Sequence, residues 1–167
     1  MIYNHGKDSQ PYSAKTNVFT QIAEKQGYET QSIDYRGQSD PDERVLQLLA
    51  TDWSEFDEIV LVGSSMGAYV CAVAAETLNP QGLFLLAPAF YLPGYQRSTF
   101  NIPTRAITVV HGWQDTVVPP ENSWKFCQHH SAALTVCNAD HRLMTVLPFL
   151  TGAFNRFLTN LNATEIG

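Results

Sequence analysis

Gly63-Ser64-Ser65-Met66-Gly67 is a G-x-S-x-G pentapeptide between a bare apolar run, residues 59–62, and an alanine-rich segment that follows at once. A strand that turns directly into a helix holds its apex residue in a strained conformation. Glycines two residues to either side keep side chains out of the neighbouring backbone. The turn lifts the Ser65 hydroxyl above the sheet edge and lays a helix N-terminus beneath it, where the dipole favours a developing oxyanion. Ser64 sits one residue before the apex, so Ser65 is the candidate nucleophile. The plain alternative is a Gly/Ser turn that only joins a strand to a helix.

A serine hydroxyl needs a base within hydrogen-bond reach and a third group to orient that base. His111-Gly112-Trp113-Gln114-Asp115 leaves an apolar run and enters a loop, with Val118-Pro119 opening the next helix. Asn138-Ala139-Asp140-His141 leaves the last apolar run in the same way. The chain order Ser65, Asp115, His141 places nucleophile, acid and base on successive strand ends. The interval between Asp115 and His141 suits one helix plus one strand.

Other titratable residues compete less well. His111 stands before a glycine at a strand end and is read as a brace for the turn carrying Asp115, with a catalytic role as the alternative. His129 and His130 close a helix, where solvated cations favour the dipole. Asp140 is the sequence neighbour of His141 and cannot readily reach round to its Nδ1, and Asp34, Asp52 and Asp57 lie at less suitable points. Two backbone N–H donors are needed for an oxyanion. Met66, after the nucleophile, is one; Lys7, after His5-Gly6 in the first loop, is the other, through its amide and not its charged side chain. His5 is read as a structural hydrogen-bonding residue.

These residues require elements to hold them. Residues 2–4 are a short apolar start, and a helix follows from about Ser13, with Val18, Phe19, Ile22 and Ala23 on one face and Gly27 as a stop. Residues 29–33 suit a strand. Asp40-Pro41-Asp42-Glu43 opens a helix with an N-cap carboxylate, Pro at N1 and Glu at N3. Residues 59–62, 83–86 and 106–110 are apolar runs of the kind found in strands covered on both faces. Residues 65–78 are apolar nearly all round, as a buried helix is. A helix near 119–129, a strand near 134–137 and a last helix from about Pro148 complete the chain, with Leu147, Leu150, Phe154, Phe157 and Leu161 as its core stripe. Alternation of this kind implies a parallel sheet with helices on both faces. The expectation is one domain over 1–161 and a frayed tail over 162–167.

Composition excludes other classes. With 167 residues, 44% apolar and 16% charged, the chain is neither disordered nor long enough for two full cores. A net charge of −6 argues against a nucleic-acid partner, which selects a dense basic surface. No apolar run approaches the roughly 18–20 residues of a membrane span. Cys71, Cys127 and Cys137 are odd in number and lack C-x-x-C spacing, so neither a disulfide framework nor a zinc site is expected. With no signal-peptide pattern at the start, a cytoplasmic location is expected.

The sequence resembles the α/β-hydrolase superfamily, and within it the small single-domain bacterial esterases and thioesterases. The opening His5-Gly6, Ser9, Pro11, Ser13 and Lys15 is similar to an H-G-x-x-S-x-P-x-S-x-K start. Asp34-Tyr35-Arg36-Gly37-Gln38-Ser39 is similar to a D-x-R-G-x-G-S loop without its second glycine. The elbow at Ser65, the loop from His111 to Pro119 and Asp140-His141-Arg142 supply the remaining likeness, and Ser64-Ser65-Met66-Gly67 with Asp140-His141-Arg142 is also similar to acyl-protein thioesterases. The blocks run from the start to about residue 145.

The resemblance implies a minimal fold, a three-layer α/β/α sandwich on a mainly parallel sheet of about six strands. It lacks the two strands that usually precede the oxyanion loop, and it has no lid domain. It implies acyl transfer to water, with Ser65 attacking an ester or thioester, His141 as base, Asp115 orienting it, and Met66 and Lys7 holding the oxyanion. No metal or organic cofactor is implied, and the partner expected is a small-molecule ester or thioester, with neither nucleic acid nor membrane. Oligomeric state is not legible. Residues 88–104 are too short for a helical lid. Gly6, Tyr12, Phe90, Tyr91 and Leu143, with Leu92 and Tyr95, are candidates to wall a substrate pocket; for the aromatics, loop packing is the alternative. A peptidase or amidase on small substrates, and a hydrolase-fold binding protein with a lapsed site, remain as other readings.

Overall fold

Apolar side chains alternate between two cores along each central strand, and this alternation sets the layers. The computed structural model describes residues 1–104 and 106–164, Thr164 by its backbone alone. In chain order the elements are β1 (Ile2–Asn4), α1 (Ala14–Lys25), β2 (Gln31–Ile33), α2 (Pro41–Ala50), β3 (Val60–Ser64) and α3 (Met66–Leu78). They continue with β4 (Gly82–Leu86), β5 (Ile107–Gly112), α4 (Pro120–His130), β6 (Ala133–Cys137), a 3₁₀ turn at Met144–Val146 and α5 (Leu147–Thr164). The six strands form one sheet in the order β2-β1-β3-β4-β5-β6, and every adjacent pair is parallel.

Ile2, Leu61, Leu83, Leu85 and Val109 point to one face, where α2, α3 and α4 cover them. Tyr3, Val62, Phe84, Leu86 and Val110 point to the other, beneath α1 and α5. That is the two-residue period of a strand read against two buried faces. On the second face Phe84 meets Phe19 of α1 and Phe154 of α5, with ring centroids 5.8 and 5.1 Å apart. Each such ring contributes about 1.5–3 kcal/mol by burial, so this cluster fixes α1 and α5 to the sheet.

Helix ends follow their capping residues. Ser13 caps α1 by accepting from the Thr16 amide, and Gly27 ends it at φ +89°. Asp40 caps α2 by accepting from the amides of Asp42 and Glu43 at 2.8 and 3.2 Å. At the other end of the chain, α5 continues to Thr164, so residues 162–164 are helical where the sequence reading expects a frayed tail; 165–167 lie outside the described residues. Leu161 packs against Gly82 and carries the helix past that boundary.

β2 lies on one side of β1 and β3 on the other, so the winding direction reverses at β1. In an open parallel sheet the crevice beyond the carboxyl ends of the strands at such a reversal is where ligands bind. The loops after β1 and β3 carry Gly6-Lys7 and Ser65 to this place. Among the described residues no helix is long and apolar enough to cross a membrane.

Candidate active site

Ser65 takes φ 55° and ψ −119°, a conformation that L-residues rarely adopt. The backbone holds it there. Its amide donates to Leu86 O of β4, and its carbonyl accepts from Ala68, Tyr69 and Ala89. Both flanking glycines are required by close approach. A Cβ on Gly63 would lie 2.6 Å from Ala68 Cα, and one on Gly67 would collide with the Asn4 carbonyl. Serine at a helix N-cap ordinarily turns its hydroxyl onto the helix amides. Here Ser65 makes no such bond.

The Ser65 hydroxyl turns instead to His141. Its Oγ lies 2.9 Å from His141 Nε2, and His141 Nδ1 lies 2.6 Å from Asp115 Oδ2. An ionised carboxylate only accepts, so Nδ1–H donates to Asp115 and Nε2 accepts from the serine. The sequence reading's nucleophile, base and acid are thus joined in one chain across three strand ends. The His141 side chain is 20% exposed and that of Asp115 is 0% exposed, so the serine end is open and the acid end is sealed.

Asp115 is saturated. Oδ1 accepts from the amides of Val117 and Val118 at 2.8 and 2.9 Å, while Oδ2 accepts from His141 and from His111 Nε2 at 2.9 Å. Burial alone would raise its pKa; the Val118 and Val117 amides and His141 outweigh burial and hold the carboxyl below its ordinary value. His111 is fully buried and faces two acceptors with Nε2, Asp115 and Val118 O. Its Nδ1 therefore accepts from the Ser123 hydroxyl at 2.6 Å. Burial pushes its pKa down, which keeps it neutral. His111 braces the acid turn, as its position at a strand end predicts.

Asp140 spends Oδ1 on the amides of Arg142 and Leu143, so it shapes the base loop and leaves Nδ1 of His141 to Asp115. Gly112 lets the acid and base loops touch, since a Cβ there would collide with the Ala139 carbonyl. His130 departs from expectation. Its ring lies tilted against Phe126, with centroids 4.5 Å apart, and is half-buried, with burial lowering its pKa, because the last turn of α4 rolls onto an aromatic cluster.

On the other side of Ser65 lies the loop after β1. Gly6 approaches so closely that a Cβ there would touch Ser65 Cβ at 3.5 Å. His5 Nδ1–H donates to Gly6 O and its Nε2 accepts from the Tyr35 amide, a structural role as expected. Met66 is the first residue of α3, and a first-turn N–H has no partner within its own helix. Arg44 of α2 is the feature that sequence reasoning missed. It is 1% exposed, and its guanidinium donates to Gln38 O at 2.7 Å and His5 O at 3.0 Å, with longer bonds to Gly6 O and Lys7 O. The available signal was its place on the buried stripe with Pro41, Val45 and Leu48.

A cavity of about 650 Å³ opens over Ser65 and His141. Gly6, Lys7, Leu92 and Tyr95 line it, but four other expected wall residues do not. Tyr12 is 65% exposed and points to solvent. Phe90 is buried against Phe126 at 4.3 Å, because the chain after β4 dives toward α4. Tyr91, at φ 57°, packs under Lys125 and beside Phe100. Leu143, in the left-handed turn that Asp140 caps, enters the core beneath α5. Val117, Val118 and Met144 supply apolar wall in their place, and Lys15 and Arg142 supply charge. Among the described residues no group of three His, Cys, Asp or Glu side chains is placed to hold a metal ion.

The profile of the uncharacterised protein family UPF0227 matches residues 1–97, more than half of the chain. The chain belongs to UPF0227. The matched stretch holds the loop after β1, Arg44 and Ser65; Asp115 and His141 lie beyond it. No curated protein sequence matches this UPF0227 member.

Solved structures do match it. A Xanthomonas campestris pv. campestris protein assigned to hydrolases of the α/β superfamily is 26% identical with a TM-score of 0.84, over 95% of this chain and 97% of that one. An α/β serine hydrolase without a lid from Xanthomonas campestris is 21% identical with a TM-score of 0.72, over 95% and 80% of the two chains. A Pyrococcus furiosus esterase is 21% identical with a TM-score of 0.76, over 95% and 81%. The UPF0227 chain is an α/β-hydrolase in fold, with six parallel strands and three layers.

Proposed function

We propose that the protein is a serine hydrolase that cleaves carboxylic ester or thioester bonds of small molecules through an acyl-enzyme intermediate. The observation that carries this reading is the unbroken chain Ser65 Oγ–His141–Asp115, with bonds of 2.9 and 2.6 Å, opening on a cavity. Ser65 Oγ attacks the carbonyl carbon while its proton passes to His141 Nε2. The carbonyl oxygen becomes an oxyanion facing the amides of Met66 and Lys7. Collapse expels the alcohol or thiol, which takes the proton from His141, and leaves the acyl group on Ser65. Water then attacks the acyl carbon, gives its proton to His141, and the acid leaves as the serine regains its hydrogen. Asp115 does not change protonation state. It fixes the imidazole tautomer and stabilises the transient imidazolium.

Ester over amide is supported by the fold neighbour named as an esterase and by the absence, among the described lining residues, of a carboxylate pair to grip a peptide amine. A fluorophosphonate probe tests the chemistry, and 4-nitrophenyl esters beside acyl thioesters and aminoacyl amides test the bond. Labelling of the wild type and none of Ser65→Ala is expected, with esters or thioesters turned over fastest. Equal labelling of both proteins, or predominant amide cleavage, overturns the reading.

A further inference from the structure

The cavity over Ser65 is two-sided. Leu92 and Tyr95 from the loop after β4, and Val117 and Val118 from the loop after β5, make an apolar wall. Lys7 from the loop after β1, Lys15 from the first turn of α1, and Arg142 from the base loop carry the charge. Sheet order puts β1 and β4 on opposite sides of β3, so Ser65 stands between the two.

The cations are an uneven share of the total. The whole chain has ten Lys and Arg against sixteen Asp and Glu, yet three cations line this one cavity with a single carboxylate, Asp8. Lys15 ties the charged side together, its Nζ donating to Arg142 O at 3.0 Å. Among the described residues no carboxylate forms a salt bridge with Lys7, Lys15 or Arg142. Asp140, which lies near Lys15, has Oδ1 committed to the Arg142 and Leu143 amides. Burial pushes the Lys15 ammonium down to about 8 although the Asp140 charge opposes it, as for a cation taken partly out of water. An incoming anion relieves that situation, and a positive cleft in a negative protein also concentrates anions.

We propose that the substrate is an ester or thioester bearing an anionic group, carboxylate or phosphate, on one limb, seated at Lys15 and Arg142, with its other limb apolar and laid on Leu92, Tyr95 and Val117. This assignment rests on the hydrolase reading above and narrows it.

Matched substrate pairs test it. Mono-4-nitrophenyl glutarate is compared with methyl 4-nitrophenyl glutarate, which differs by carboxylate against methyl ester on the acyl limb. Butyryloxyethyl phosphate is compared with its dimethyl phosphate ester, which places the charge on the alcohol limb. The charged member of at least one pair is expected to show kcat/KM about tenfold above its neutral partner at low salt, an advantage that shrinks in high salt. Which pair responds separates a carboxylate substrate from a phosphate one. Lys15→Met is expected to bring the charged-to-neutral ratio close to one, while Lys15→Arg, which keeps the charge, retains it. If the enzyme cleaves neutral esters as fast as charged ones in both pairs, or if Lys15→Met leaves the ratio unchanged, this inference fails and the hydrolase reading stands. If no ester of any kind is cleaved and no probe labels Ser65, the hydrolase reading fails and this inference with it.

Discussion

At Ser65 the requirements of chemistry and of stability oppose each other. Its φ of 55° and ψ of −119° suit glycine, and for serine such a conformation costs roughly 1–3 kcal/mol. The fold tolerates it because the Ser65 amide and carbonyl are both bonded, to Leu86 and to Ala68, Tyr69 and Ala89. Removing the hydroxyl alone leaves that strain in place; removing Cβ relieves it, against the larger unfolded-state entropy of glycine. Ser65→Gly is therefore expected to be more stable than Ser65→Ala by about 1 kcal/mol in reversible denaturation, with both proteins inactive. Equal stabilities, or a more stable alanine variant, would mean that the elbow is unstrained. The need for glycine at 63 and 67 was legible from the pentapeptide, since it follows from the tightness of a strand-to-helix turn. That Gly67 meets the Asn4 carbonyl was not, because β1 is distant in sequence.

At the scale of elements, α2 has a role that its amphipathic pattern hides. It is the helix that delivers Arg44 to the carbonyl oxygens of His5 and Gln38, and so holds the loop that carries the Lys7 amide. Arg44 is buried, and its cation also lies over the Tyr35 ring at 5.0 Å. A methionine of similar length would fill the space and leave those carbonyls without a donor. Arg44→Met is expected to lose about 2–4 kcal/mol of stability and to lower kcat more than it raises KM. Arg44→Lys restores only part of either, because one ammonium does not reproduce the planar fork. Urea denaturation and ester kinetics measure the two effects; a variant with wild-type kcat removes Arg44 from the positioning of that loop. The pocket wall shows the same limit of local reading. Phe90 and Leu92 are two residues apart in one irregular segment, and only the path of the chain after β4 sends the first into the core and the second to the cavity.

For the molecule as a whole, buried histidines set the pH response. Burial lowers the pKa of His5, His111 and His130 below 6.5, so near that pH the unfolded chain binds more protons than the folded one. Stability then rises with pH through this range and is lost as pH falls through 6.5. Asp115, whose pKa lies below 3.8 in the fold, adds a loss of the same sign at lower pH. The denaturation midpoint is expected to be lower at pH 5.5 than at pH 7.5, and an unchanged or higher midpoint at pH 5.5 contradicts the neutral, buried state of these rings. Two of them belong to the framework of the candidate site, His5 in the loop after β1 and His111 behind Asp115, so the same protons that weaken the fold also loosen the Ser65–His141–Asp115 geometry.

The sequence by itself determined the order of elements, the parallel two-faced sheet and the strand-to-helix turn at Ser65, and it singled out Asp115 and His141, which the fold joins to Ser65 by hydrogen bonds. Those are features written in short windows: unbroken apolar runs, capping residues, glycine spacing and loops that follow strands. Tertiary structure alone decided which loop residues wall the cavity, that Arg44 clamps the loop after β1, and that Lys7, Lys15 and Arg142 meet around one opening. The reason is distance along the chain. Lys15 and Arg142 are 127 residues apart, and nothing local to either residue records the parallel crossovers that bring α1 beside the loop after β6.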